Sequence, residues 1–111
     1  MDEMSQRKEK LSSDMKQIKI EAKENAVRKE EFLEFSKQSQ LFLEEMTVYL
    51  KGSRDSKRVE NLMEEQKQLN KMVKKQLADI ENELEFKRKK LILEKEELNQ
   101  LHHKKEDLNE H

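Results

Sequence analysis

An all-α fold of long coiled-coil helices follows from three features of this sequence. Charged residues make up 44% of it and apolar ones only 32%; there is one glycine and no proline; and leucines recur at seven-residue intervals late in the chain. An ordinary globular domain is roughly 45–50% apolar and about 25% charged. So few apolar side chains do not surround a three-dimensional core, but they fill a stripe along a helix. Disorder is the competing reading of so polar a chain. Against it stand the scarcity of proline and glycine and the balance of 24 basic against 25 acidic residues. Leu, Lys, Glu, Gln and Met also dominate, and all are strong helix formers.

A first coiled-coil helix is expected over residues 1–51. Leu11, Met15, Ile18 and Ala22 follow a 4-3-4 spacing, and Phe32, Phe35, Ser39, Phe42, Met46 and Tyr49 follow 3-4-3-4-3. Between the two runs Asn25 and Lys29 fall on would-be core places. Leu33, Leu41, Leu43 and Leu50 widen the stripe beyond a two-position zipper, which suggests contact with more than one neighbouring helix.

A turn or kink is expected at residues 52–55. Gly52 suits the left-handed position past a helix end, and Ser53, Asp55 or Ser56 suits the cap of the next helix. A second coiled-coil helix then spans 56–111. Val59, Leu62, Gln66, Leu69 and Val73 alternate three and four apart. The step from Val73 to Leu77 reads as a stutter, which locally unwinds a supercoil. Leu77, Leu84, Leu91 and Leu98 then recur every seven residues, partnered by Ile80 and Leu101, with Lys87 and Glu94 weakening the partner row. If the break is a turn, the helices form an antiparallel two-helix hairpin, with Tyr49 near Val59, Met46 near Leu62, Phe35 near Val73 and Ile18 near Leu91. In that hairpin Ala22 faces Lys87 and Met15 faces Glu94. The alternative is one kinked rod.

No catalytic machinery is expected. Carboxylates abound, but a single stripe of apolar residues builds no pocket that would desolvate two of them and separate their pKa values. No glycine-rich loop is present for phosphates, and the absence of cysteine removes any disulfide framework or thiolate metal site. His102 and His103, with Glu106 and Asp107 four residues on, are too sparse for a structural zinc site. No cofactor and no metal are therefore expected. A DNA-binding zipper needs a continuous basic helix before its leucines. Here Arg54, Lys57, Arg58 and Lys67 are interleaved with Glu60, Glu64 and Glu65 and share their helix with seam residues. The run Lys87-Arg88-Lys89-Lys90 points around the whole helix and pairs with acids four residues away, Glu83 with Lys87 and Glu85 with Lys89. No signal-peptide core opens the chain, and its longest apolar-rich stretch, Leu41–Leu50, is interrupted by Glu44 and Glu45. A soluble, cytoplasmic protein is expected, with the nucleus as an alternative.

The stretch KEEFLEFSKQSQLFLEEMTVYLKGSRDSKRVENLMEEQKQLNKMVKKQL, with its Phe32, Phe35, Phe42 row and the Lys/Glu/Gln-rich helix after Arg58, resembles coiled-coil domain-containing proteins of cilia and sperm flagella. The resemblance covers under half of the chain and implies a scaffold or docking role on axonemal microtubules. The residues themselves predict a structural or adaptor module that binds another coiled-coil protein, or itself, and no small-molecule substrate. The partner-binding residues are expected to be Phe32, Phe35, Phe42, Met46, Leu62, Leu69, Leu77, Ile80, Leu84, Leu91 and Leu98. The competing readings are a zipper-type nucleic-acid binder and an amphipathic membrane-surface helix; acids beside every basic cluster count against both.

Overall fold

Two helices, α1 (Glu3–Tyr49) and α2 (Ser56–Asn109), account for nearly all of the chain in a computed structural model that describes residues 2–109, with side chains as far as 106. The last two positions of the expected second segment and the side chain of Asp107 lie outside the described residues. α1 begins where Asp2 caps it. The Ser5 N–H donates to Asp2 Oδ1 at 2.7 Å, and the Gln6 N–H to the Asp2 carbonyl at 3.3 Å. Such a cap satisfies a backbone donor that has no partner within the helix. The bond from Ser5 is the main cause holding the Asp2 carboxyl below its ordinary pKa, and attraction to Lys105 adds to it.

Between the helices the chain reverses. Ser53 N–H donates to the Leu50 carbonyl at 2.9 Å and closes a β-turn over Leu50–Ser53. Gly52 sits third in that turn with φ 82°, the sign a type II turn requires and one that costs an L-residue about 1–2 kcal/mol. The Ser53 hydroxyl donates to the Leu50 carbonyl at 2.7 Å and accepts the Asp55 N–H at 3.3 Å. The Val59 N–H then donates to the Asp55 carbonyl at 3.0 Å, which opens α2. The break is therefore a turn that begins at Leu50, and the kinked rod is overturned.

The helices pack as two units, Met1–Glu24 with Glu81–His111, and Asn25–Ile80. In the unit that holds the turn, Thr47 Oγ1 donates to Met63 Sδ at 3.2 Å and Asn25 Nδ2 to the Leu77 carbonyl at 3.4 Å. In the other unit Leu11 and Ile18 line one groove with Leu98 and Leu91. Within each unit, then, rising numbers on α1 meet falling numbers on α2. The fold is an all-α antiparallel hairpin.

The seam between the helices runs one residue over from the spacing read in its central part. Phe35, Phe42 and Tyr49 are 67%, 60% and 87% exposed, while their neighbours Ser36, Leu43 and Leu50 are buried or half-buried. On α2, Leu62 and Leu69 are exposed, and Met63 and Asn70 take their places. The stutter at Val73 disappears with them. Met63, Asn70, Leu77, Leu84, Leu91 and Leu98 make one seven-residue row, and Val59, Gln66, Val73 and Ile80 begin the other. Ile80 stays on its row but is 39% exposed, set by this register opposite Lys29.

The physical reason is continuity. A shift of one residue turns a side chain about 100° around the helix, so each helix keeps a single row unless an insertion pays for the change. The row fixed by Leu77–Leu98 continues back through Met63, and the matching row of α1 runs Leu11, Ile18, Asn25, Phe32, Ser39, Met46. Polar residues thereby occupy the middle of the seam. Asn25 and Ser36 are buried there, and the Asn25 Oδ1 has no hydrogen-bond partner among the described residues.

Candidate functional site

The displaced apolar residues are not scattered. In an antiparallel pair, each helix contributes one flanking row to each side of the seam. Phe35, Phe42 and Tyr49 lie on the flanking row of α1, and Leu62 and Leu69 on the row of α2 that faces the same side. Phe35, Phe42, Leu62 and Leu69 line one open groove of about 570 Å³, with Phe32 and Leu43 from the seam also lining it. The groove lies within the unit that carries the turn. Its apolar walls are a product of register: side chains large enough to fill a core are held just outside one.

Charge on this side is mixed, with Glu31, Glu45 and Glu65 toward its middle and Arg28 and Arg58 toward its ends. Helical spacing puts Glu31 four residues before Phe35, Glu45 three after Phe42 and Glu65 four before Leu69, and the same spacing puts Arg58 four before Leu62. All three carboxylates are exposed, and among the described residues none of them has an ion-pair or hydrogen-bond partner. On the opposite side, the corresponding rows mix Lys37, Lys57, Lys67, Lys71 and Lys74 with Glu30, Glu44, Glu60 and Glu64.

The remaining expected residues fall elsewhere. Leu84 and Leu98 are buried, Met46, Leu77 and Leu91 are half-buried, and all belong to the seam. In the other unit Leu91 and Leu98 share with Leu11 and Ile18 a second groove, of about 650 Å³, rimmed by Lys87 and Glu94. Those two charged residues hold core places on α2, and their exposed side chains leave the groove open. Sequence reading missed Ser36, Leu43, Met63 and Asn70 as seam residues. Counting back by sevens from Leu77 would have found Met63 and Asn70, and the same count forward from Met15 would have reached Ser36 and Leu43.

Local electrostatics are those of a solvated surface. Lys87 pairs with Glu83 at 3.3 Å as the spacing predicted, whereas Glu85 pairs with Arg88 through two bonds of 3.0 and 2.7 Å rather than with Lys89. The hydrogen bonds from Arg88 hold the Glu85 carboxyl below its ordinary pKa. His102 Nε2 lies 2.9 Å from Glu106. Among the described residues no group of three or more His, Cys, Asp or Glu is placed to hold a metal ion, and no helix is long and apolar enough to cross a membrane. No family model, curated protein or solved structure matches this chain.

Proposed function

We propose that this chain is a structural or adaptor module that works by packing its hairpin against further helices of a partner or of another copy. One observation carries the reading. Among the described residues only Leu11, Ile18, Val59, Leu84 and Leu98 are buried apolar side chains, none of them fully, while a longer set that includes Phe35, Phe42, Leu62, Leu69 and Phe86 is exposed. Burying a Leu-sized side chain contributes roughly 1.5–3 kcal/mol. That contribution is largely unspent in the isolated hairpin and is available to an association. The cytoskeletal or axonemal setting implied by the flagellar resemblance belongs to the same proposal, as does the absence of catalysis.

Thermal melts followed by circular dichroism test it, over a range of chain concentrations and alongside sedimentation equilibrium. The midpoint should rise with concentration or with added helical partner. A high, concentration-independent melt of a demonstrated monomer overturns the proposal. So does sub-micromolar binding to duplex DNA at physiological salt, which would restore the zipper reading.

A further inference from the structure

We infer that the groove of Phe35, Phe42, Leu62 and Leu69 closes on itself. In the turn-bearing unit α1 and α2 turn against each other, like meshed gears, between the seam described above and a second seam that buries these side chains. The inference bears on the proposed helix-packing role, because the second seam hides the surface that role uses, and it is tested on the chain alone.

The rows of the two helices carry it. Phe32, Ser39 and Met46 on α1, with Val59, Gln66 and Val73 on α2, belong to both seams. In the described seam the remaining places are held by Ser36, Leu43 and Leu50, and by Met63 and Asn70. In the second they are held by Phe35, Phe42 and Tyr49, and by Leu62 and Leu69, all five exposed in the described one. Only one of the two rows changes on each helix, so each turns by about 50°, half the angle between adjacent residues. Both incoming rows lie on the groove side, so the two turns are opposite in sense and bring the groove walls together.

Each seam has a merit that the other lacks. The described one keeps its rows unbroken, but it buries Ser36, half-buries Asn70 and leaves Phe35, Phe42 and Tyr49 in water. The second gathers those rings and turns the serine and the asparagine out, but it needs a change of spacing on each helix. On α2, Leu69, Val73 and Leu77 stand four apart twice over, which locally unwinds a supercoil; on α1, Lys29, Phe32 and Phe35 stand three apart twice over, which overwinds it. Both changes fall in the stretch bounded by the Thr47–Met63 and Asn25–Leu77 hydrogen bonds, toward its Asn25–Leu77 end. The sequence thus places the two breaks on the same part of the pair, where one helix can change row together with the other. No further helix is needed to cover the groove.

The test uses the full chain, which has one tyrosine, no tryptophan and no cysteine. Two probes should move in opposite directions. A thiol introduced by Ser36→Cys is buried in the described seam and turned out in the second, so its labelling by a maleimide reports the second. Tyr49 is 87% exposed in the described seam and turned in by the second, so acrylamide quenching of its fluorescence reports the reverse. Adding Phe35→Gln and Leu62→Gln to Ser36→Cys leaves the described seam intact and weakens the second. Labelling should then slow by about tenfold or more, since each change removes a large apolar side chain from the second seam. Adding Leu43→Gln and Met63→Gln instead should keep helix content by circular dichroism, speed labelling by about tenfold or more and shield Tyr49, equally at every chain concentration. Labelling that fails to slow in the first variant overturns the inference, because ordinary local opening of a single seam then exposes the thiol. Loss of helix content in the second variant overturns it too, as does faster labelling with Tyr49 quenched as before. Shielding of Tyr49 that grows with concentration also overturns it, because a second copy is then the cover. All of these outcomes leave the helix-packing role standing, since the melt with added partner or rising concentration tests that role separately.

Discussion

Asn25 is the residue at which seam and chemistry conflict most directly. It is 5% exposed, holds one long bond to the Leu77 carbonyl, and leaves its Oδ1 without a partner among the described residues. An unsatisfied buried polar group costs roughly 1–3 kcal/mol. Asn25→Leu should therefore raise the urea midpoint, and a lowered midpoint would show that the amide contributes more than its geometry suggests. A buried polar residue in a coiled-coil seam also helps to fix register, so the same variant should admit slipped pairings, detectable as new disulfide cross-links between cysteine probes on the two helices. At the other end of the scale of burial, Asp2 is a surface cap whose effect depends on pH. Its carboxyl titrates below the usual value in the folded state, so its contribution is complete above the unfolded pKa and is lost as pH falls through the depressed folded one. The protection factor of the Ser5 amide, its exchange relative to the intrinsic rate at each pH, should fall over that acid range in the native chain, whereas in Asp2→Asn it should show no such step.

At the scale of the element, the two registers make opposite forecasts for adjacent residues. Phe35→Gln and Leu62→Gln remove exposed side chains and should change hairpin stability by less than about 0.5 kcal/mol. Leu43→Gln and Met63→Gln strike half-buried seam places and should cost about 2 kcal/mol or more. Chemical denaturation of the four variants compares them directly; if the Phe35 and Leu62 changes are the costly pair, the seam is the one that the raw spacing suggests. Leu84→Asp should disrupt packing, whereas Lys89→Asp should be nearly silent. Both helices and a break at Gly52 were legible in the sequence, because helix formers, caps and a lone glycine act locally; whether that break was a turn or a kink was not. Nor was the one-residue displacement of the seam. Phe35, Phe42, Leu62 and Leu69 are the most conspicuous apolar residues in their stretches, and a reading by local spacing places them inside. The register is decided instead by the distant Leu77–Leu98 row and by the refusal of a helix to shift its row without an insertion. The groove was illegible for the same reason, since it exists only where that displacement leaves large side chains outside.

For the molecule as a whole, the hairpin itself is open to a distance measurement. Fluorophores at Lys8 and Lys104, both exposed and both in the unit that holds the chain ends, should lie within a few tens of ångströms. The same positions on an unbroken helix would be roughly 145 Å apart, a separation beyond energy transfer. The turn also sets the order in which such a chain acquires structure. A loop the size of Leu50–Ser53 closes in well under a microsecond, and the entropy cost of closure grows with the length closed. The unit spanning Asn25–Ile80 contains its own turn, whereas Leu11 meets Leu98 only after everything between them has been gathered in. Folding should therefore zip outward from Gly52, the inner unit shortening the search for the outer one. Gly52→Val, strained by its positive φ although a Cβ at this position has open space within 4 Å, should then slow folding more than it speeds unfolding, with Gly52→Asn milder. A substitution in the outer unit, such as Leu11→Ala, should show the reverse: an unchanged folding rate and faster unfolding in stopped-flow chevrons. A hairpin of this kind is a clasp whose hinge closes first and whose free ends are the first to open.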